Sequence, residues 1–149
     1  MRVVGGCVFL ALAFAAPARA DWQYTKWGMT PEQVVVASGG AARLVTDEKP
    51  PYLSTRIGCD ARYKVGAFEF YVSFMFVRQT NRLQEVGLLY FGPDRHGLTQ
   101  AMQEKYGIWT EGTIWFDRTA GYSVELDLSN GHVVVINYRQ LHEAEKSGL

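Results

Sequence analysis

The chain has 149 residues, 48% of them hydrophobic and 20% charged, with 15 basic and 15 acidic side chains. That composition excludes a disordered chain, which lacks the apolar surface to offset the entropy of ordering. A formal charge of zero argues against a nucleic-acid binder or a polybasic membrane-surface protein, both of which need cationic excess against phosphates.

Residues 1–20 have the pattern of a removable export signal. Arg2 supplies the positive start, Cys7 to Ala16 is the apolar run, and Pro17 ends it. Ala18 and Ala20 place small residues at −3 and −1. The run is roughly half the twenty residues that span a bilayer, so no membrane span is expected. In Val4-Gly5-Gly6-Cys7 the apolar run follows the cysteine instead of preceding it, which argues against a lipid anchor. Cleavage after Ala20 leaves residues 21–149 as a single domain in the periplasm or outside the cell. Loss of Arg2 and Arg19 leaves 13 basic and 15 acidic side chains, a net charge of −2. Cys59 is then the lone cysteine, expected to be buried as a small hydrophobe or joined to a second chain. Ile57, Cys59, Ala61 and Tyr63 alternate as one strand face, which favours burial. The sequence leaves the oligomeric state open.

Trp22 to Trp27 is aromatic-rich and predicted to be extended across the domain. The next segment, GMTPEQVVVASGG, is predicted to form a short helix. Thr30 fits the N-cap, Pro31 the first helical position, and Gln33 the return contact of a capping box. Met29 and Val34 fit a hydrophobic staple, and Gly39-Gly40 stop the helix. Residues 41–55, with Asp47-Glu48-Lys49-Pro50-Pro51, read as a surface loop. Strands are predicted over 56–64, 67–77 and 83–91. In the second, Phe68, Phe70, Val72, Phe74 and Phe76 share one face. A three-residue loop after it sets Phe74 opposite Val86. A second helix runs from Gly92-Pro93-Asp94 to Tyr106, with Leu98, Ala101, Met102 and Tyr106 on one side. Strands at 113–117, 121–128 and 132–139 follow, the last two joined by Asn130-Gly131, a favoured two-residue turn. The polar tail from Gln140 reads as a frayed helix.

The predicted fold class is α+β: an antiparallel sheet with short helices packed on one face. Gly28-Met29-Thr30 and Gly97-Leu98-Thr99 open the two halves alike and suggest a tandem α-β-β-β repeat. The segment Trp27-Gly28-Met29-Thr30-Pro31-Glu32-Gln33-Val34 resembles the helix start of small exported bacterial proteins of unknown function with a WGM-T/S-P-E-x-V pattern. It is also similar to BamE (SmpA/OmlA)-like and β-lactamase-inhibitor-protein-like domains, small periplasmic or secreted modules with a G-M-T/S-x-x-x-V helix and antiparallel strands. The resemblance covers about eight residues and the element order. It implies a binding or scaffolding role without catalysis.

No catalytic, metal or cofactor site is legible. His96, His132 and His142 have no metal-ligand spacing, and phosphate-loop, nucleophile-elbow and dinucleotide motifs are absent. Asp94 beside His96 reads as a helix cap. Trp22, Trp27, Trp109, Trp115 and eight tyrosines are a large amphipathic stock, enough for a core and for an aromatic-lined groove. The function expected first is a non-catalytic module that binds another periplasmic protein. A small-ligand or cell-wall-glycan binder with an aromatic cleft is the alternative, and a hydrolase with His96 in its site the third. A Trp/Tyr-lined pocket distinguishes the second from the first. The candidate binding face lies on the last hairpin. A two-residue turn pairs Leu126 with Val135 and puts Val134, Ile136 and Tyr138 on the outer face, rimmed by Glu125 and Asp127. On that reading Ile136→Lys with Tyr138→Ala removes partner capture and leaves the melting temperature unchanged.

Overall fold

The structure, a computed structural model, describes residues 22–46, 53–108, 114–129 and 131–147. The expected export signal, the loop at 47–51, Trp109 and Asn130 lie outside them. In chain order the elements are α1 (Pro31–Ala37), β1 (Arg43–Leu44), β2 (Thr55–Val65), β3 (Phe68–Val77), β4 (Arg82–Tyr90), α2 (Arg95–Tyr106), β5 (Ile114–Asp117), β6 (Tyr122–Asp127), β7 (Val134–Gln140) and α3 (Glu143–Ser147). The strands form one open antiparallel sheet of seven in the order β1-β2-β3-β4-β7-β6-β5. Among the described residues the fold is mainly β with three short helices. Among the described residues no helix is long and apolar enough to cross a membrane.

Local chemistry starts both longer helices. At α1 the Gln33 amide N–H donates to Thr30 Oγ1 at 3.4 Å, and Thr30 N–H donates to Gln33 Oε1 at 2.9 Å, the expected capping box. At α2 Asp94 Oδ1 accepts from the Gly97 N–H at 2.8 Å, and Gly107 ends the helix at φ 101°. The helices differ in what they bury. Val34 of α1 and Leu98 and Met102 of α2 join the core. No residue of α3 is buried, and Arg139 Nη2 holds it through Glu145 Oε1 at 2.9 Å. The expectation of helices packed together on one face therefore fails for the last of them, whose sequence has no apolar stripe.

One sheet face carries the core. Its direct cross-strand rows run Phe74–Val86–Tyr138–Val124 and Val72–Leu88–Ile136–Leu126. Phe70, Phe74 and Phe76 are buried, and Trp27, Met29 and Phe68 pack against them, as the alternation on β3 predicts. Phe74 lies opposite Val86, also as predicted, but by another route. The β3–β4 loop has four residues, Arg78 to Asn81, and a bulge between Met75 and Phe76 restores the register.

Three further sequence expectations are corrected. Leu44 and Arg43 are not loop but a short edge strand, secured by a bidentate ion pair of Arg43 with Asp60 at 2.6 and 3.1 Å. Trp22 to Thr25 is not extended: Thr25 donates N–H and O–H to the Trp22 carbonyl, closing a turn that Trp22 packs onto Phe74. Gly58 is an extra residue in β2, between the pairs Ile57–Met75 and Cys59–Phe74. The bulge breaks the alternation, so Cys59 is fully buried while Ile57 is only half-buried beside Met75. Burial pushes the Cys59 thiol up to about 11, so it stays protonated and packs as a small hydrophobe.

A Cβ at Gly58 would lie 2.8 Å from the Phe76 ring and 3.0 Å from Pro31, both buried. Gly58→Ala is therefore expected to cost about 1–3 kcal/mol through forced displacement of that ring. Urea unfolding checks this, and an unchanged midpoint contradicts it.

Candidate functional site: an aromatic cavity between sheet and helix

The β6–β7 hairpin decides where the predicted binding face goes. Its register pairs Val124 with Tyr138, Leu126 with Ile136 and Asp127 with Val135. That is one residue away from the pairing a two-residue turn imposes. Seven residues separate Asp127 from Val135, an odd number, whereas a two-residue turn leaves an even one. Because side chains alternate, one residue of slip exchanges the faces. Val134 and Ile136 are therefore core residues, 0% and 2% exposed, and Tyr138 is partly buried beside them. Glu125 and Asp127 are exposed on the other face. The proposed strip with an acidic rim is not assembled.

The cause lies in β4. Strand β7 is paired on both sides, and Leu88 and Val86 of β4 meet Ile136 and Tyr138 directly. A large shared apolar face outweighs a favoured turn dipeptide. The loop is also held from α2, where Arg95 donates to the Gly131 carbonyl and to the Leu128 carbonyl at 3.4 Å. Asp127 Oδ1 accepts from the Ser129 N–H at 2.8 Å, so the acid serves the turn.

Ile136 and Tyr138 nevertheless reach a concave site. A cavity of about 450 Å³ lies over the core face of the sheet, within the usual range for small-molecule sites. Its floor runs from Tyr63 and Phe70 on β2 and β3, through Leu88 and Ile136, to Tyr138 and Tyr122 on β7 and β6. One wall is the α2 side that carries Leu98, Ala101, Met102 and Tyr106. The turn bearing Trp22, Gln23 and Trp27 supplies another. A more open depression beside α1 is lined by Trp27, Met29 and Val36 together with the charged Lys26, Glu32 and Arg82.

Tyrosine hydroxyls converge on the β6–β7 side. Tyr106 and Tyr138 share a hydrogen bond at 3.2 Å, and the Tyr122 ring lies 6.1 Å from that of Tyr138. Burial, then the neighbouring Tyr106, holds Tyr138 far above the ordinary phenol range. Burial chiefly, with Tyr106 next, pushes Tyr122 up to about 12. Tyr122 and Tyr138 are therefore neutral hydrogen-bonding groups at physiological pH. On the other side Gln23 Nε2 donates to the Tyr63 hydroxyl at 3.0 Å. Trp27 adds its ring to the wall, and its buried indole N–H has no acceptor among the described residues.

The described lining holds no His, Cys, Ser, Asp or Glu. His96, His132 and His142 are exposed outside it. Among the described residues no three His, Cys, Asp or Glu side chains cluster as a metal site. The arrangement can enclose an apolar body and bind its oxygens, and it presents no nucleophile–base pair. Sequence periodicity placed Ala101 and Tyr106 on the α2 stripe but gave no signal that Tyr63, Tyr122 and Tyr138 line one space. No protein family, curated protein or solved structure matches the chain.

Proposed function

We propose that the chain is an exported, non-catalytic binding protein that takes a small, largely apolar ligand into the aromatic cavity. The observation that carries this reading is the cavity of about 450 Å³, walled by Trp, Tyr and Phe and floored by aliphatic core residues. Such a site gains affinity from apolar burial and orientation from a few polar groups. Export to the periplasm or beyond rests on Arg2, the apolar run and Ala18-Arg19-Ala20. The architecture is read as two α-β-β-β units, α1 with β2–β4 and α2 with β5–β7. Strand order supports this, because the third strand of each unit, β4 and β7, pairs at the centre of the sheet. The helix-then-strands order is that of BamE-like and β-lactamase-inhibitor-protein-like domains. A second reading, a module that docks another periplasmic protein, is favoured by Tyr71 and Phe91. These rings stand 46% and 58% exposed in edge-to-face contact at 5.6 Å.

The neutral fluorescent probe N-phenyl-1-naphthylamine tests the cavity. Its emission is expected to rise with the folded protein and to lose that rise in Ala101→Trp, an exposed helical position on the cavity wall where the indole fills the space. The melting temperature of that variant should stay near the parent value. No enhancement, or enhancement untouched by the substitution, rejects the cavity reading.

A further inference from the structure

Every polar side chain of the described lining can donate a hydrogen bond. The Tyr106 and Tyr138 hydroxyls share one hydrogen bond at 3.2 Å, which uses one of their two protons and leaves the other for a ligand. Lys105, the residue before Tyr106, is exposed and lines the same cavity, its ammonium 4.9 Å from the centre of the Tyr106 ring. Among the described residues no carboxylate lies within ion-pair distance of Lys105. The described lining contains no acidic side chain at all. A cation without a carboxylate partner among the described residues, beside hydroxyl donors and next to an apolar floor, is complementary to an anion with a hydrocarbon body.

We infer that the cavity selects small apolar carboxylic acids, the carboxylate held between Lys105 and the Tyr106–Tyr138 hydroxyls and the body laid against Phe70, Leu88 and Ile136. This rests on the cavity reading above and adds the head-group chemistry. The hydroxyls supply donors, and the ammonium supplies the charge that a desolvated carboxylate requires. An alcohol of equal length keeps the apolar contacts and one hydrogen bond but not the ion pair.

Displacement of N-phenyl-1-naphthylamine by decanoate and by 1-decanol tests the selection. Decanoate is expected to displace the probe at about tenfold lower concentration than decanol at neutral pH, the scale of a charge-assisted hydrogen bond. Lys105→Met should erase that preference, read as the ratio of acid to alcohol displacement so that any change in probe affinity cancels, and Lys105→Arg should keep it. Tyr138→Phe should weaken decanoate severalfold. Equal displacement by acid and alcohol, or a preference that survives Lys105→Met, overturns the carboxylate inference and leaves the cavity reading standing. Failure of the probe to bind overturns both.

Discussion

Phe74→Ala is expected to lower the unfolding free energy by about 3–5 kcal/mol, the range for truncating a buried phenylalanine. The ring is fully buried at the middle of β3 and lies between direct neighbours on two strands, Cys59 and Val86. Trp22 stands edge-on to it at 5.7 Å and Tyr24 tilts against it at 6.2 Å. Those contacts join the N-terminal turn to the sheet, so the vacated volume is walled by strands on one side and by the Trp22 and Tyr24 rings on the other. Collapse of Trp22 into the gap would bring the loss to the lower end of the range and change the tryptophan emission. Denaturant unfolding followed by fluorescence and by circular dichroism measures both. A loss near zero removes Phe74 from the centre of the core.

Ile136→Lys is expected to unfold the protein or cost about 3–5 kcal/mol, because it buries an ammonium with no partner. Native domains have only about 5–15 kcal/mol in total, so the melting temperature should fall steeply. Ile136 is 2% exposed between Leu88 and Leu126 and forms part of the cavity floor. The hairpin read on its own leads to the opposite result, an unchanged melting temperature. The loss also carries a sign in pH. Burial lowers the pKa of the new lysine in the folded state, so the unfolded chain binds the extra proton. Stability then rises with pH, and the deficit should be smaller near pH 10 than near pH 7. Thermal melts at the two pH values decide. An unaffected melting temperature returns position 136 to the surface.

Features that depend on neighbours a few residues apart were legible in the sequence. Thr30, Pro31 and Gln33 specify the start of α1 because the cap closes within one turn, and Asp94 does the same for α2. The apolar alternation from Phe68 to Phe76 identifies the inner face of β3 because successive side chains must point to opposite sides. Features that depend on distant partners were decided only by the tertiary structure. The face of Val134, Ile136 and Tyr138 follows from β4, some fifty residues earlier, and the Asn130-Gly131 dipeptide carries no knowledge of that strand. The bulge at Gly58 turns Ile57 away from Cys59, and Phe76 and Pro31 occupy the space a side chain at position 58 would need. The cavity is the furthest from local rules. Tyr63, Tyr106, Tyr122 and Tyr138 come from four separate elements, and only the strand order β2-β3-β4-β7-β6 with α2 across it sets their rings around one space. Composition announced the aromatic stock. Long-range pairing, which buries the largest continuous apolar face, determined which of those rings enclose a site.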